Sequence, residues 1–347
     1  MSERFKRGVI AVIAVLFVGV VPMIALAASN GAGARPPAAS HGPKRTPTPT
    51  PTKAPTPAPT ILPTAVPTPV PTPTLAPTPG LPFVLVGAGD IASCTSTGDE
   101  ATATLLDSIG GSVFTLGDNV YTNGTTTEFT TCYGPSWGRT AIKSRTRPAP
   151  GNHDYNTAGA TGYYGYFGAA AGDPTKGYYA YDADTWRVYV LNSNCTIISC
   201  AAGSAQEQWL RSDLAANPRA CVVAMWHHPR FSSGTSHGSS TTVQPLWEAL
   251  YDNNAELILN GHEHNYERFA PQTASGTPDD ARGLVEFVVG TGGASHYALG
   301  SPIANSVVRD GTTYGVLRLA LSANSWSFNF LPVAGQTFTD SGSGTCH

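Results

Sequence analysis

The sequence has few charged residues for its length. Asp, Glu, Lys and Arg make up 12% of its 347 residues, which is about half the share of an average soluble protein. The charges are also divided unevenly: residues 1–80 carry seven basic side chains and one acid, whereas residues 81–347 carry 13 basic and 22 acidic ones. The larger part therefore has a formal charge of −9. That charge matches nucleic-acid phosphates poorly, so we expect no nucleic acid as a structural partner.

The cysteines lack the spacing of a structural zinc site, because no two of them form a Cys-x-x-Cys pair. An even number of cysteines in a chain with so few charges instead predicts an exported protein with three disulfides. Cys195 and Cys200 are the best-supported pair, and Cys94–Cys132 with Cys221–Cys346 is one choice among the connectivities that remain. The six cysteines are Cys94, Cys132, Cys195, Cys200, Cys221 and Cys346.

The N-terminal segment has the pattern of a signal peptide. A basic cluster in Met1–Arg7 precedes the uncharged apolar stretch Gly8–Ala27, which ends in Ala25-Leu26-Ala27, the small-residue pattern that signal peptidases cut. We therefore predict a signal peptide over residues 1–27. The alternative is an uncleaved anchor, since about 20 apolar residues can span a bilayer, and only in that case do we expect a membrane partner.

Residues 28–80 form a Pro/Thr-rich segment. It holds 16 of the 29 prolines of the chain, and proline removes the amide donor that helices and sheets need. The composition predicts a disordered linker that serves as a stalk or merely as a spacer. Together with the signal peptide, it predicts a secreted or cell-envelope-associated protein whose folded domain spans residues 81–347.

Short apolar runs alternate with helical patterns in residues 81–347, which predicts a layered α/β domain. A hairpin is also predicted, with strands Tyr314–Leu321 and Trp326–Leu331 around Ala323-Asn324-Ser325. The predicted helices are Thr102–Ile109, Ser204–Ala215 and Val243–Tyr251. The other predicted strands are Phe83–Gly87, Val113–Leu116, Val188–Leu191, Val222–Met225, Leu257–Leu259 and Val285–Val289.

Polar residues follow four of these strands. Asp90 comes after the first strand and Asp118 after the second, while His227 and His262 come after the fourth and fifth. In α/β sheets, ligands bind just beyond the carboxyl ends of the strands. We therefore expect these four side chains to converge on one rim.

The segments around these residues supply the ligands of a metal centre. They offer carboxylate oxygens, an amide oxygen, a phenol and several imidazoles, a set that suits Zn, Mn or Fe. A carboxylate that bridges two such ions holds them about 3.5–4 Å apart, as in two-metal hydrolases. The segments are Gly89-Asp90-Ile91, Gly117-Asp118-Asn119-Val120-Tyr121, Gly151-Asn152-His153-Asp154, Trp226-His227-His228-Pro229 and Gly261-His262-Glu263-His264.

In order and composition these segments resemble the calcineurin-like metallophosphoesterase superfamily. The Gly-Asp-x-x-Tyr form and the Gly-His-x-His-x-Tyr-Glu-Arg form (Gly261 to Arg268) are similar to the purple acid phosphatase branch, over roughly Val84 to Leu331. The resemblance implies a four-layer α-β-β-α sandwich and hydrolysis of small phosphomonoesters by a hydroxide held on two metal ions. Phosphodiester or nucleotide hydrolysis on the same fold is the alternative, and a non-catalytic stalked binding domain is the alternative from another class.

The resemblance also assigns residues. It implies two divalent or trivalent ions, Fe paired with Fe, Zn or Mn. The length and apolar content of the chain suffice for a large core without oligomerisation, so we expect a monomer. His153 would be the general acid for the leaving alkoxide or merely an orienting group. His237 would contact the substrate or be an exposed loop histidine, and Tyr121 could instead be a core residue. The implied ligands are Asp90, Asp118, Tyr121 and His264 for the first metal, and Asp118, Asn152, His227 and His262 for the second.

One motif points elsewhere. Gly234-Thr235-Ser236-His237-Gly238 matches the Gly-x-Ser-x-Gly elbow of serine hydrolases, which needs a strand directly before it and a helix directly after. The flanking residues 229–233 and 239–242 are loop-like, which argues against a serine hydrolase.

One segment departs from the pattern of the family that the sequence resembles. Gly151-Asn152-His153-Asp154 differs from the Gly-Asn-His-Glu form typical of plant and animal purple enzymes, because Asp154 stands in the last place.

Overall fold

Two β-sheets that pack face to face form the centre of the fold. The computed structural model describes residues 80–347, so the predicted signal peptide (1–27) and the predicted linker, apart from Gly80, lie outside the described residues. Within residues 80–347, no helix is long and apolar enough to cross a lipid bilayer.

Fifteen strands lie in the described part of the chain. Their bounds are β1 (Phe83–Ala88), β2 (Ala92–Ser93), β3 (Ser112–Leu116), β4 (Val120–Tyr121), β5 (Thr146–Ala149), β6 (Tyr179–Ala183), β7 (Trp186–Val190), β8 (Cys221–Met225), β9 (Leu257–Asn260), β10 (Tyr266–Phe269), β11 (Val285–Val289), β12 (Ser306–Asp310), β13 (Gly315–Ser322), β14 (Ser325–Pro332) and β15 (Ser341–Thr345).

Helices connect the strands, and three of the six α-helices found in the described residues are longer than two turns. The α-helices are α1 (Gly98–Ser108), α2 (Thr126–Glu128), α3 (Thr140–Lys143), α4 (Thr161–Phe167), α5 (Ala205–Ala216) and α6 (Gln244–Asp252). A π-helical turn continues α2 over Phe129–Tyr133, and 3₁₀ turns lie at Asp154–Asn156, Ala158–Ala160, Gly168–Ala171 and Thr241–Val243.

The parallel strands of both sheets end at a common rim. The first sheet has the order β15-β14-β13-β1-β3-β5 and the second the order β12-β10-β11-β9-β8-β7-β6. Strands β1, β3 and β5 run parallel, as do β7, β8, β9 and β11. The two edges meet, because Nδ1 of His227 after β8 lies 2.7 Å from the carbonyl oxygen of Leu116 in β3.

Alternation along the central strands accounts for the layers. In β8, Val223 and Met225 belong to the core between the sheets, whereas Val222 and Ala224 belong to a second core shared with α5 and α6. Helix α1 covers the other sheet with its buried face, which includes Leu106. The layers therefore follow the predicted α-β-β-α order.

The predicted elements are present, with small differences in their bounds. The hairpin β13–β14 pairs Ser322 with Ser325 across a two-residue turn. Helix α1 begins at Gly98, four residues before the predicted start, so that Asp99 and Glu100 lie in its first turn, where acidic groups favour a helix. Helix α5 begins at Ala205, one residue after the predicted start, because Ser204 caps the helix: its side chain accepts a hydrogen bond from the Glu207 amide.

The strands that the sequence did not reveal include all four edges of the two large sheets, β5, β6, β12 and β15. An edge strand pairs on one side only, so it tolerates residues that weaken a central strand. Strand β5 contains Pro148, and β15 reads Ser-Gly-Ser-Gly-Thr. Neither has the apolar run on which the prediction relied.

All three predicted disulfides are present. Cys94–Cys132 joins the loop after β2 to the π-helical turn, Cys195–Cys200 closes a short loop, and Cys221–Cys346 ties the start of β8 to the residue after β15. Within residues 80–347 no cysteine is left free.

The long-range disulfide should contribute most to stability. Cys221 and Cys346 are 125 residues apart and Cys195 and Cys200 only five, so the chain-entropy relation gives about 5 kcal/mol for the first bridge and about 2 kcal/mol for the second. Urea unfolding of C221A/C346A and of C195A/C200A measures the difference. Equal losses in the two double variants would contradict it.

Candidate metal centre

Five chain segments meet where the parallel strands end. Each predicted ligand but Tyr121 stands two to four residues beyond a strand, and Tyr121 ends the short strand β4 that follows the turn after β3. The residues are Asp90 after β1, Asp118 after β3, Tyr121 in β4, Asn152 after β5, His227 after β8, and His262 and His264 after β9. The rim predicted from the sequence is therefore formed.

The sharp turns at this rim fall on the polar residues themselves. Asp90, Asp118 and His262 have φ angles of 58°, 47° and 71°, a left-handed conformation that is uncommon for residues with a side chain. Of the four glycines that precede a predicted ligand, Gly117 also has a positive φ. Gly151 instead provides space, because a Cβ atom there would lie 2.1 Å from the Asp118 amide nitrogen.

A first group of ligand atoms surrounds the Tyr121 hydroxyl. Its oxygen lies 2.9 Å from Oδ1 of Asp90, 3.1 Å from Oδ2 of Asp118 and 2.9 Å from Nε2 of His264. Nδ1 of His264 lies 2.5 Å from the carbonyl oxygen of Ser295 and donates its hydrogen there, which leaves the Nε2 lone pair toward the phenol. A phenol has one hydrogen and can satisfy only one of these three acceptors.

A second group surrounds Nε2 of His227. This nitrogen lies 3.0 Å from Oδ1 of Asn152, 3.3 Å from Oδ2 of Asp118 and 3.2 Å from Nδ1 of His262. Because Nδ1 of His227 donates to the Leu116 carbonyl, Nε2 of the neutral ring directs a lone pair at the other acceptors. Asp118 belongs to both groups through the same oxygen, Oδ2.

This arrangement fits a pair of cations. Ligand atoms of Asp118, His227 and His262 lie within 4.8 Å of one another, and with neutral imidazole rings too few hydrogens are present to pair the lone pairs that face each other. Carboxylate, amide and phenol oxygens with imidazole nitrogens suit borderline ions such as Zn, Mn and Fe. The backbone carbonyls of Leu116 and Ser295 fix the two imidazole rings, as outer partners of metal ligands do.

Electrostatics of the buried rim point the same way. Burial alone would lower the pKa of His227, but the carboxylates of Asp118 and Asp90 raise it to about 9. Burial alone would raise the pKa of Asp118, yet His227 and His153 hold it well below its usual range. Burial, together with Asp118 and Asp90, raises the pKa of the Tyr121 hydroxyl. The site therefore attracts positive charge.

The two candidate catalytic histidines flank this cluster. His153 is partly exposed, its Nδ1 lies 2.7 Å from the Thr122 carbonyl oxygen, and its Nε2 lies 3.9 Å from Oδ2 of Asp118. It lines a cavity of about 380 Å³ with Tyr121 and His264. His237 is exposed and stacks on the His262 ring, with 4.1 Å between ring centroids and 29° between planes.

Sequence reasoning missed several residues that hold the site together. The buried Asp154 carboxylate accepts hydrogen bonds from the Gly151 amide (2.8 Å) and the Asn119 side chain (2.9 Å), and so fixes the turn that carries Asn152. Burial and the nearby Asp118 raise the pKa of Asp154 to about 7. Tyr297 stacks on the His264 ring at 3.8 Å. Asp154 stands inside a recognised segment, but nothing in the sequence marks Tyr297.

His228 lies beside the second group rather than in it. Its Nδ1 lies 2.8 Å from the Ser193 hydroxyl, and its ring lies 4.3 Å from the ring of His262. Burial and the neighbouring His227 lower the pKa of His228 to about 3. His228 is therefore a neutral neighbour of the predicted ligands.

The stability of chelator-treated protein should depend on His227. Its pKa is about 9 in the fold against 6.5 when unperturbed. The stabilisation that the charged His227 side chain contributes to the fold is therefore complete below about pH 6.5 and is lost as the pH rises through 9. Thermal melting in EDTA between pH 6 and 10 should show this decline, and His227→Gln should lack it. The same slope in both proteins would contradict the assignment.

Comparison with known proteins gives consistent results. A model of the calcineurin-like phosphoesterase family matches residues 85–266. Purple acid phosphatase 15 of Arabidopsis thaliana is 30% identical over 128 residues, which cover 35% of this chain and 23% of that protein. An uncharacterized protein of Mycobacterium tuberculosis is 28% identical over 185 residues, which cover 43% of this chain and 35% of that protein. The matches thus span little more than a third of these relatives at most.

Solved structures share the fold. The purple acid phosphatase PPD1 from yellow lupin (Lupinus luteus) seeds superposes with a TM-score of 0.65 at 19% identity, over 76% of this chain and 53% of that one. GAP50 of Plasmodium, described as the anchor in the inner membrane complex, superposes with a TM-score of 0.57 at 14% identity, over 77% and 90% of the two chains. Because the family model covers just over half of the 347 residues, the chain belongs to the calcineurin-like phosphoesterase family.

Proposed function

We propose that this protein is an exported, metal-dependent phosphoesterase that hydrolyses small phosphomonoesters in the manner of an acid phosphatase. The observation that carries the proposal is the double group of ligand atoms joined by Asp118 Oδ2. Two-metal hydrolases need such a shared carboxylate, which keeps two cations close enough to act on one phosphate. Family membership supports phosphoester hydrolysis, whereas the preference for monoesters belongs to the proposal.

The proposed ligands divide into two sets. Around Tyr121 lie Asp90 and His264, and around His227 lie Asn152 and His262. Asp118 completes both sets. The phenol favours Fe at the first position, and the mixed oxygen and nitrogen donors of the second suit Fe, Zn or Mn.

The remaining residues suit an attack on phosphorus. When bound, two cations offset the charge of the phosphate and acidify the attacking water. His153 donates Nδ1–H to the Thr122 carbonyl, so its other nitrogen, Nε2, is the one that can carry a proton to the leaving alkoxide. Its position in the cavity wall leaves room for the leaving group beside it. His237 lies beside the second set, against the His262 ring, where its exposed ring can contact phosphate oxygens.

Export is part of the proposal. It rests on the predicted signal peptide at residues 1–27, on the predicted linker at 28–80 and on the three disulfides of the described domain, since disulfides persist in oxidising compartments. The division of the chain into these two segments and a catalytic domain at 81–347, and the monomeric state, stay predictions.

Loss of the shared carboxylate should abolish turnover. Removing an outer partner of a metal ligand already costs about 10–100-fold, so Asp118→Asn should lower kcat by more than about 100-fold and reduce the metal content. Elemental analysis and assays on para-nitrophenyl phosphate and its bis-para-nitrophenyl diester measure both effects, and the wild type should prefer the monoester.

The matched control is Asp107→Asn. Asp107 is an exposed carboxylate that pairs with Arg139, and its loss should leave rate and metal content unchanged. Near-normal rates in Asp118→Asn would overturn the mechanism. A wild type that prefers the diester would instead establish the phosphodiesterase alternative.

The colour of the purified protein tests the first metal position. A phenolate bound to ferric iron absorbs visible light, so the wild type should be coloured and Tyr121→Phe should lose the band. Visible spectroscopy together with iron analysis tests whether Tyr121 is a ligand. The control is Tyr133→Phe, because Tyr133 is a buried tyrosine that packs among the aromatic residues of the π-helical turn and α4. An unchanged spectrum in Tyr121→Phe would show that the phenol is no ligand.

A further inference from the structure

The Gly234–Gly238 segment has a structural role that the resemblance to a serine-hydrolase elbow does not explain. It lies in the loop between β8, which ends at Met225, and α6, which begins at Gln244, so the strand and helix that such an elbow needs do not adjoin it. Ser236 is exposed. What the segment does instead is wrap around the side chain of Glu263.

The Glu263 carboxylate is fully buried and holds this loop by its backbone. Oε1 accepts hydrogen bonds from the amide of His237, at 2.6 Å, and from the amide of Gly238. Gly234 packs against the same carboxylate, since a Cβ atom there would lie 2.2 Å from Oε2. Gly238 has a φ of 71°, which glycine adopts without strain. The two glycines therefore let the loop close around one acid.

The position of Glu263 in the chain links this loop to the metal centre. It stands between His262 and His264, and the His262 amide is itself fixed by a hydrogen bond to Oδ2 of Asp90, at 2.8 Å. The His237 ring stacks on the ring of His262. The backbone contact through Glu263 thus sets the place of His237 relative to a proposed ligand of the second cation.

Two further buried glutamates hold the earlier part of the loop. Glu286 in β11 accepts from the Arg230 amide at 2.8 Å, and Glu267 in β10 accepts from the Ser233 amide at 2.7 Å. Buried glutamates therefore hold the loop by hydrogen bonds at several points along its length, and Glu263 holds it at His237.

We propose that Glu263 is a positioning residue that holds His237 against His262, a proposed ligand of the second cation, so that the His237 ring can bind a phosphate oxygen of the substrate. The proposal rests on the phosphoesterase function proposed above. Glu263 does not touch the substrate, and acts through His237. The glycines of the Gly-x-Ser-x-Gly match accommodate its carboxylate, and Ser236 is no nucleophile.

Four variants of the full-length protein test this: Glu263→Ala, Glu263→Gln, His237→Ala and the double variant with both alanines. With para-nitrophenyl phosphate, His237→Ala should raise KM roughly tenfold, as the loss of one hydrogen bond to a charged group does, with kcat little changed. Glu263→Ala should do the same, and the double variant should show no further rise, because the two residues act as one unit. Glu263→Gln keeps an acceptor oxygen and should restore KM.

Amide hydrogen exchange gives a readout that does not depend on activity. The amides of His237 and Gly238 should be protected in the wild type and exchange faster in Glu263→Ala. The matched control is Glu256→Ala: Glu256 is also buried and accepts a backbone hydrogen bond, from Val222 at 2.6 Å, but at the opposite end of β8. It should lower stability and leave KM and the two amides unchanged.

The outcomes separate the two proposals. A metal-loaded wild type that hydrolyses no phosphate ester would overturn the proposed function and the role of His237 with it. An active wild type in which Glu263→Ala leaves KM unchanged, or in which the effects of Glu263→Ala and His237→Ala add, would overturn the role of Glu263 alone. Unchanged exchange at His237 would do the same.

Discussion

Everything at the rim depends on the Asp118 carboxylate. Its Oδ2 is within hydrogen-bond distance of the Tyr121 hydroxyl and 3.3 Å from Nε2 of His227, and its Oδ1 accepts the amide of His153 at 2.8 Å. It stands at the end of β3, where the first sheet meets the second, and Gly117 before it lies against the His227 ring. One buried acid thus joins two sheets and two sets of ligand atoms. A carboxylate so placed would be too costly to bury without positive charge beside it.

The imidazoles at this acid are oriented by the backbone rather than by other acids. His227 donates to the carbonyl of Leu116, and His264 to the carbonyl of Ser295. A carbonyl fixes the ring and its tautomer without adding negative charge to an already acidic rim. The orientation of these two rings is consequently built into the path of the chain.

The convergence of the proposed ligands followed from the sequence, but the contacts that fix them in place did not. Buried parallel strands are marked by apolar runs, and their carboxyl ends share one edge, so Asp90, Asp118 and His227 could be placed together without a structure. The partners of Asp154 and Glu263 depend on how loops run back to the rim, and loop paths leave no periodic signal in the sequence. The edge strands were missed for a related reason, since a strand such as β15 has no apolar side to bury.

Three of the proposed ligands, Asp90, Asp118 and His262, adopt a left-handed backbone conformation, and such residues cost about 1–3 kcal/mol each when they are not glycine. The packing of the sandwich and its disulfides must therefore offset this backbone strain in addition to the other costs of folding. A substitution in a distant layer, for example in the core beneath α5 and α6, can then relax these turns and impair chemistry without touching a single ligand. The number of destabilising substitutions that this protein tolerates therefore depends on the stability that is left after the cost of these strained turns has been offset.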